Sequence, residues 1–467
     1  MVSRVPRRLF AVAAGLVLLA APTVPVLSTP LVRAAEDPVV IAAGDIADCT
    51  TTTDGATANL LDSLPGTVVT LGDNAYPDGS AANFRDCYGP TWGRHRGRTR
   101  PSPGNHDYRT AGASAYFRYF GSAAGAPAKG YYSYDLGAWH VVVLNSNCAA
   151  VGGCGSGSPQ LGWLRADLAA NSARHVLAYW HHPRFSSGTH GGVSAVGAFW
   201  EALYAAGADI VLNGHDHDYE RFGPQDPWGR ADSVHGIRQF VVGTGGTGLR
   251  SRATTARNSQ VFARTHGVLR LTLRSDSYAW AFVPVAGKTF EDAGSGVPHG
   301  PPPPRTTRSF TAASDAWVNE RYKRRNYGTS TRLLVDASTA AGFRAHTYIK
   351  VKVTGTSGVV DRAVLRLWVT NATRNGPTVA PTSNAWSGST ITWANRPRAS
   401  GAVVADAWRL PAGQWADFDV TRLVRGNGTF SFLLRPESSD GLQASSLQGG
   451  RAPRLVVQTV PAGSGAP

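Results

Sequence analysis

Cysteine is scarce in this chain. The 467 residues hold four, at Cys49, Cys87, Cys148 and Cys154, all in the first half. None stands in a Cys-x-x-Cys pair, so a thiolate metal site of that kind is excluded. Past the first 35 residues, no apolar run is long enough to span a membrane. No serine or cysteine sits in a convincing nucleophile motif, and no helix-turn-helix or zinc-finger signature points to obligate nucleic-acid binding. Acids are outnumbered, 31 against 46 lysines and arginines, for a net charge of +15. The excess is local: residues 305–467 carry +12, while 35–304 carry about −1. A basic surface of this kind attracts anionic glycans, lipids or nucleic acid at long range, or it serves only to keep the surface solvated.

The rest of the composition is globular. Apolar residues make up 42% and tryptophan numbers thirteen, and the length admits two or three domains. Residues 1–34 read as a secretory signal peptide. Arg4, Arg7 and Arg8 precede an apolar stretch from Leu9 to Ala21, and Val32-Arg33-Ala34 fits a small-residue cleavage site near Ala34 or Ala35. Arg7-Arg8-Leu9-Phe10 loosely resembles a twin-arginine signal. A membrane anchor is the alternative, but the run is short for one. The protein is therefore expected outside the cell or at the cell wall. In that oxidising setting an even cysteine count implies two disulfides. Cys148–Cys154 would close a small glycine-rich loop and Cys49–Cys87 would be the second; other pairings stay open.

The stretch 293–308, AGSGVPHGPPPPRTTR, reads as a stiff linker between a domain at 36–292 and another at 309–460. The tail 461–467 reads as disordered. In the first region PVVIAAGD, GTVVTLGD, WHVVVLNS, RHVLAYWHH and ADIVLNGH are short β-branched runs that end in polar residues, as strands buried between layers do. Helical candidates lie between them, with Leu161, Leu164 and Leu168 on one face and Val196, Phe199 and Leu203 on another. The fold class is α/β and layered. GVLRLTLRSDSYAWAFVP reads as a hairpin. The second region has no long amphipathic helix and many short alternating segments, including AVLRLWV and FSFLLRP. That pattern predicts an all-β sandwich.

Polar residues collect just past the strand-like runs. They are Asp45, Asp73, Asn105 with His106 and Asp107, His181 with His182, and His215 with His217. Strand carboxyl ends are where sites gather in α/β folds. Hard carboxylates, an amide oxygen and imidazoles suit Fe, Mn or Zn, and a short carboxylate can bridge two ions. The glycines before Asp45, Asp73, Asn105 and His215 fit tight turns.

The ordered set Gly44-Asp45, Gly72-Asp73-Asn74-Ala75-Tyr76, Gly104-Asn105-His106-Asp107, His181-His182-Pro183 and Gly214-His215-Asp216-His217 resembles the calcineurin-like metallophosphoesterases, and among them the purple acid phosphatases. Tyr219-Glu220-Arg221 extends the likeness, which covers roughly 39–285. The resemblance implies a layered β-sandwich flanked by helices and a two-metal centre of Fe(III) with Zn, Mn or Fe(II). Asp45, Asp73, Tyr76 and His217 would hold the first ion. Asp73, Asn105, His181 and His215 would hold the second, with Asp73 as the bridge. The wider superfamily often has Asp-x-His at its first motif. Ala47 stands there instead, and Tyr76 can fill the vacancy, its phenolate on Fe(III) giving colour.

His106 and His190 are the candidate catalytic histidines. Asp107 is expected to hold a histidine's orientation, Asp48 and Asp216 to orient backbone or ligands, and His182 to neighbour the pocket. The implied reaction is hydrolysis of phosphate monoesters by attack of a metal-bound hydroxide. Phosphodiesters and nucleotides are alternatives, as is a glycan-binding protein with a vestigial catalytic domain. Plant-type members carry an N-terminal fibronectin-like domain, for which the expected mature start leaves no room. Residues 309–458 resemble secreted DNRLRE-type sandwiches, akin to carbohydrate-binding modules and jelly-roll-like. Trp317, Tyr322, Trp386 and Trp393 are the candidate glycan contacts. Arg321, Lys323, Arg324 and Arg325 supply charge toward an anionic glycan or cell-wall polymer.

Overall fold

The computed structural model describes residues 1–2, 37–172, 174–338, 342–407 and 409–461. Apart from Met1 and Val2, the signal read at 1–34 lies outside the described residues, as does the tail after Pro461. Among the described residues no helix is long and apolar enough to cross a membrane.

The β-branched runs form strands. In chain order they are β1 Val39–Ala43, β2 Thr67–Leu71, β3 Thr99–Ser102, β4 Tyr132–Leu136, β5 Trp139–Val143, β6 His175–Tyr179, β7 Ile210–Asn213, β8 Tyr219–Phe222, β9 Arg238–Val242, β10 Ser259–Ala263, β11 Gly267–Leu273, β12 Tyr278–Pro284 and β13 Ala293–Gly296. Two sheets result, in the orders β13-β12-β11-β1-β2-β3 and β10-β8-β9-β7-β6-β5-β4. In the first, β1, β2 and β3 run parallel; in the second, β5, β6, β7 and β9 do.

Period-two alternation decides which face each residue covers. Trp139, Val141 and Val143 point into the core between the sheets, with Leu177, Tyr179, Ile210 and Leu212. Val142, Val176, Ala178 and Val211 point the other way. There they meet Leu161, Leu164 and Leu168 of the helix Pro159–Ala170 and Phe199 and Leu203 of the helix Gly197–Ala205. Burial on both faces is why these strands read as continuous apolar runs. Ser158 caps the first of these helices, its hydroxyl accepting from the Leu161 N–H, with Pro159 at the first helical position. Disulfides join Cys49 to Cys87 and Cys148 to Cys154.

The expected linker is shorter than 293–308. Ala293–Gly296 pairs with β12 as an edge strand, and Thr306 already begins the first strand of the second domain. The sequence hides β13 because its glycines leave room for neighbours. A Cβ on Gly294 would lie 2.4 Å from the Trp280 ring, and one on Gly296 2.3 Å from the Tyr278 ring.

The second domain is all β. Its strand Thr306–Asn319 pairs with Arg454–Val460 along its first half and with Ala345–Val353 along its second, and the register shifts between Ala312 and Ser314. One large sheet is thereby folded around a core that includes Val351, Leu365, Leu367, Phe432 and Leu455. The domains dock through Asp361. Its carboxylate meets Arg305 at 2.6 Å, and its backbone carbonyl accepts from Arg230 at 2.8 Å. The Arg362 guanidinium lies 3.8 Å from the centre of the Trp228 ring.

Asp315, only 3% exposed, sits in this second domain. Its Oδ2 accepts the Leu447 N–H at 2.7 Å, and its Oδ1 has no partner. Burial pushes its pKa up to about 6. The folded value therefore exceeds the unfolded one, so stability falls as pH rises from about 4 through 6. This carboxyl is expected to cost the domain on the order of 2 kcal/mol at neutral pH. Denaturant unfolding across that window should show the slope in the native chain and its loss in Asp315→Asn. Equal slopes would reject the assignment.

Candidate metal centre

Five parallel strands end on one rim. Asp45 follows β1, Asp73 follows β2, Asn105 follows β3, His181 follows β6 and His215 follows β7. The first three come from one sheet and the last two from the other, so the rim joins both layers. Asp45, Asp73 and His215 have φ of 59°, 50° and 74°, the left-handed region that non-glycine residues avoid. The glycines before the rim residues play two parts. Gly72 is itself left-handed, but Gly44, Gly104 and Gly214 are needed for space. A Cβ on Gly104 would lie 2.2 Å from the Asp73 backbone nitrogen, and one on Gly214 2.7 Å from Asp45 Oδ2.

The side chains converge in two overlapping groups. In the first, the Tyr76 hydroxyl lies 2.9 Å from Asp45 Oδ1 and 3.0 Å from Asp73 Oδ2. His217 donates from Nδ1 to the Gly248 carbonyl at 2.8 Å, which turns Nε2 to within 3.4 Å of both Asp45 Oδ1 and the Tyr76 hydroxyl. In the second, His181 donates from Nδ1 to the Leu71 carbonyl at 2.8 Å. Its Nε2 then faces Asn105 Oδ1 at 3.0 Å, His215 Nδ1 at 3.2 Å and Asp73 Oδ2 at 3.3 Å. Asp73 Oδ2 is common to both groups. Backbone carbonyls thus fix the tautomers of His181 and His217, as outer partners of metal-binding histidines do.

This donor set fits cations. Asn105 Oδ1, His215 Nδ1 and Asp73 Oδ2 converge on His181 Nε2. Asp45 is fully buried and Asp73 nearly so. With protein groups alone around it, burial and the nearby Asp73 push the Asp45 carboxyl up to about 7. Burial, with both carboxylates close, raises the Tyr76 phenol well above its ordinary value. Burial drives His217 down to about 4, leaving a neutral imidazole with a free lone pair. Two mutually repelling buried carboxylates call for positive charge. With protein groups alone it comes from His181, which Asp73 and Asp45 push up to about 9 against its burial, and bound cations would take that place.

His106 and His190 flank the rim. His106 donates from Nδ1 to the Pro77 carbonyl at 2.6 Å, and its Nε2 lies 3.9 Å from Asp73 Oδ2. The His190 ring stacks on His215, centroids 4.4 Å apart. Its backbone N–H donates to Asp216 Oδ1 at 2.8 Å, and Ser186 donates its hydroxyl to Asp216 Oδ2. Asp216 therefore pins the loop that carries His190. His182 packs beside His215, with Nδ1 at 2.8 Å from the Ser146 hydroxyl.

One residue does something other than expected. Asp107 holds no histidine; it accepts from the Asn74 side-chain amide and the Gly104 N–H, both at 2.9 Å, and so braces the turns that carry Asp73 and Asn105. The Asp48 carboxylate orients backbone and not a ligand: it accepts from Thr50, at 2.9 Å from its N–H and 2.7 Å from its hydroxyl. It faces its own turn. The sequence reading missed Ser186, Ser146 and Gly248. The stretch Asp216, Asp218, Glu220 carries a usable signal, because every second residue from 216 is acidic while 215 and 217 are histidine.

In the second domain the four aromatic candidates do not share one surface. Trp393 is 7% exposed and belongs to a core with Ala316, Val318, Tyr348, Ile391 and Leu433. Trp386 packs on that core and donates from Nε1 to Ser431. Trp317 stacks on Tyr327 at 3.8 Å, and Tyr322 is exposed beside Arg321. A ladder that sequence reading missed runs Arg451, Trp368, Trp415, Arg454, with Arg451 3.5 Å from the Trp368 ring centre and Arg454 4.0 Å from that of Trp415. The outward positions of the Ala363–Val369 run were the signal for it.

Comparison with known proteins agrees with this layout. Residues 31–219 match the calcineurin-like phosphoesterase family, and residues 306–459 match carbohydrate-binding module family 96. The chain is 28% identical over 215 residues to purple acid phosphatase 15 of Arabidopsis thaliana, covering 38% of this chain and 40% of that protein. It is 31% identical over 134 residues to purple acid phosphatase 18 of the same plant, covering 26% and 28%. It thus spans less than half the length of the curated relatives it matches. A solved structure of purple acid phosphatase PPD1 from yellow lupin seeds superimposes with a TM-score of 0.47 at 17% identity, covering 56% of this chain and 54% of that one. The N-terminal half is therefore a calcineurin-like metallophosphoesterase domain, homologous to purple acid phosphatases, a family with a two-metal centre. A carbohydrate-binding module follows it.

Proposed function

We propose that this chain is a secreted two-metal phosphatase that hydrolyses phosphate monoesters. The observation that carries the reading is the sharing of Asp73 Oδ2 between the Tyr76 and His181 groups. Asp45, Asp73, Tyr76 and His217 would hold one ion, Fe(III). Asp73, Asn105, His181 and His215 would hold the other, Zn, Mn or Fe(II). When bound, such a pair supplies an activated water and offsets charge on the phosphoryl oxygens.

The chain's own residues do the rest. Leu71 and Gly248 carbonyls keep His181 and His217 aimed inward. Pro77 holds His106 so that its Nε2 faces the cleft, where it hydrogen-bonds a phosphoryl oxygen or protonates the departing alkoxide. Asp216 holds His190 over His215 for the same task. The two disulfides suit an oxidising, extracellular setting. The exposed run Arg321, Tyr322, Lys323, Arg324, Arg325 supports tethering to an anionic glycan or cell-wall polymer.

The test is metal content, visible spectrum and turnover on one sample from a secreting host. Two metals per chain, one of them iron, with a violet band lost in Tyr76→Phe, are expected. A phosphomonoester should turn over faster than a phosphodiester. Colourless two-metal protein would remove the Fe(III)–phenolate assignment. A faster diester would move the chain to the phosphodiesterases, and a metal-free, inactive chain after reconstitution would leave only a binding protein.

A further inference from the structure

A groove of about 730 Å³ opens directly beside the candidate second-metal ligands. Asn105 and His182 form its inner end. Tyr108 flanks it, and Asn147, Ala149 and Ala150 form the far wall. Ala149 and Ala150 belong to the loop closed by Cys148–Cys154, and Asn147 directly precedes it. The volume is in the range of small-molecule sites, roughly 300–1,000 Å³.

The chemistry of the lining is uniform. No aspartate, glutamate, lysine or arginine lines the groove. Two cations near the centre are engaged elsewhere. The Arg250 Nε is 3.4 Å from His217 Nδ1, beside the other ligand group, and Arg109 donates to the Pro77 carbonyl beside His106. The Tyr108 hydroxyl is already engaged by the Asn145 amide at 2.7 Å, so what Tyr108 offers a ligand is its ring.

A phosphoryl group seated at the metal centre can extend its ester substituent along this groove, which begins at Asn105. An uncharged substituent gains contact with the ring and the alanine methyls. An anionic one loses water and meets no counter-charge. We propose that the groove binds the leaving group and selects monoesters of uncharged aryl or alkyl alcohols over those whose alcohol carries further anionic groups. This rests on the phosphatase reading above.

The experiment compares phenyl phosphate with 4-sulfophenyl phosphate on the full-length, metal-loaded protein. The sulfonate makes the second the better leaving group, so intrinsic reactivity works against the expected order. The kcat/KM for phenyl phosphate should nevertheless be higher by about tenfold or more. Ala149→Arg should shrink that ratio by about tenfold. Tyr108→Ala should raise KM for phenyl phosphate more than it lowers kcat. Equal kcat/KM for the two esters, or a ratio that neither substitution moves, would overturn the groove assignment and leave the phosphatase standing. No turnover of any ester would overturn the phosphatase reading and the groove with it.

Discussion

Asp73→Asn should leave the chain folded and reduce kcat by on the order of 10³-fold or more. The backbone at 73 has φ 50°, a conformation that asparagine tolerates well. The Oδ1 of asparagine can still accept the His106 N–H, which lies 2.7 Å from Asp73 Oδ1. What is lost is the anion at Oδ2, the atom within 3.0 Å of Tyr76 and 3.3 Å of His181. An amide placed there carries no charge to share between two ions. Metal content should fall from two per chain to one or none, read by elemental analysis beside circular dichroism. A variant that keeps two metals and turns over within tenfold of the native rate would show that Asp73 is no bridge.

The second large effect is on stability. Asp361→Ala should cost about 3 kcal/mol. The Asp361 side chain is 3% exposed and Arg305 17%, with 2.6 Å between them, and Arg230 approaches the same carboxylate at 3.9 Å. Removing the acid leaves guanidinium charge at a covered interface. Arg305 would retain only the Tyr204 hydroxyl, at 3.2 Å. Because Asp361 also meets Arg230 of the first domain, its loss should also separate the unfolding of the two domains. Loss of turnover and change in tryptophan fluorescence, followed together in denaturant, are expected to coincide in the native chain and to part in the variant. Unchanged, coincident midpoints would show that Asp361 does not couple the domains.

The strands around the site were legible because strands buried on both faces must be continuously apolar and must stop where the chain turns polar. That pattern alone places Asp45, Asp73, Asn105, His181 and His215 at strand ends. The pairing of β11 with β12 was equally plain from alternation. The edge strand β13 was not, since Ala-Gly-Ser-Gly carries no apolar pattern and its pairing is backbone alone. The supports of the site were hidden for another reason. Asp216 reaches Ser186 thirty residues away, and Asp107 reaches Asn74 thirty-three away, so neither contact leaves a local trace. Trp393 illustrates a third limit. A tryptophan between threonine and alanine reads alike whether its ring faces sugar or, as here, the core.

The bent segment from His215 to Asp218, which leads into β8, sends neighbouring side chains in different directions. His215 and His217 look toward the cluster of lone pairs, and Asp216 looks toward the loop of His190. Adding or removing one residue there would shift each side chain into its neighbour's place, sending carboxylates where imidazoles belong and leaving the loop without its anchor. The segment can therefore change its letters one at a time but not its count, and diversification of this rim is confined to substitutions here and to length changes in outer loops such as the one closed by Cys148 and Cys154.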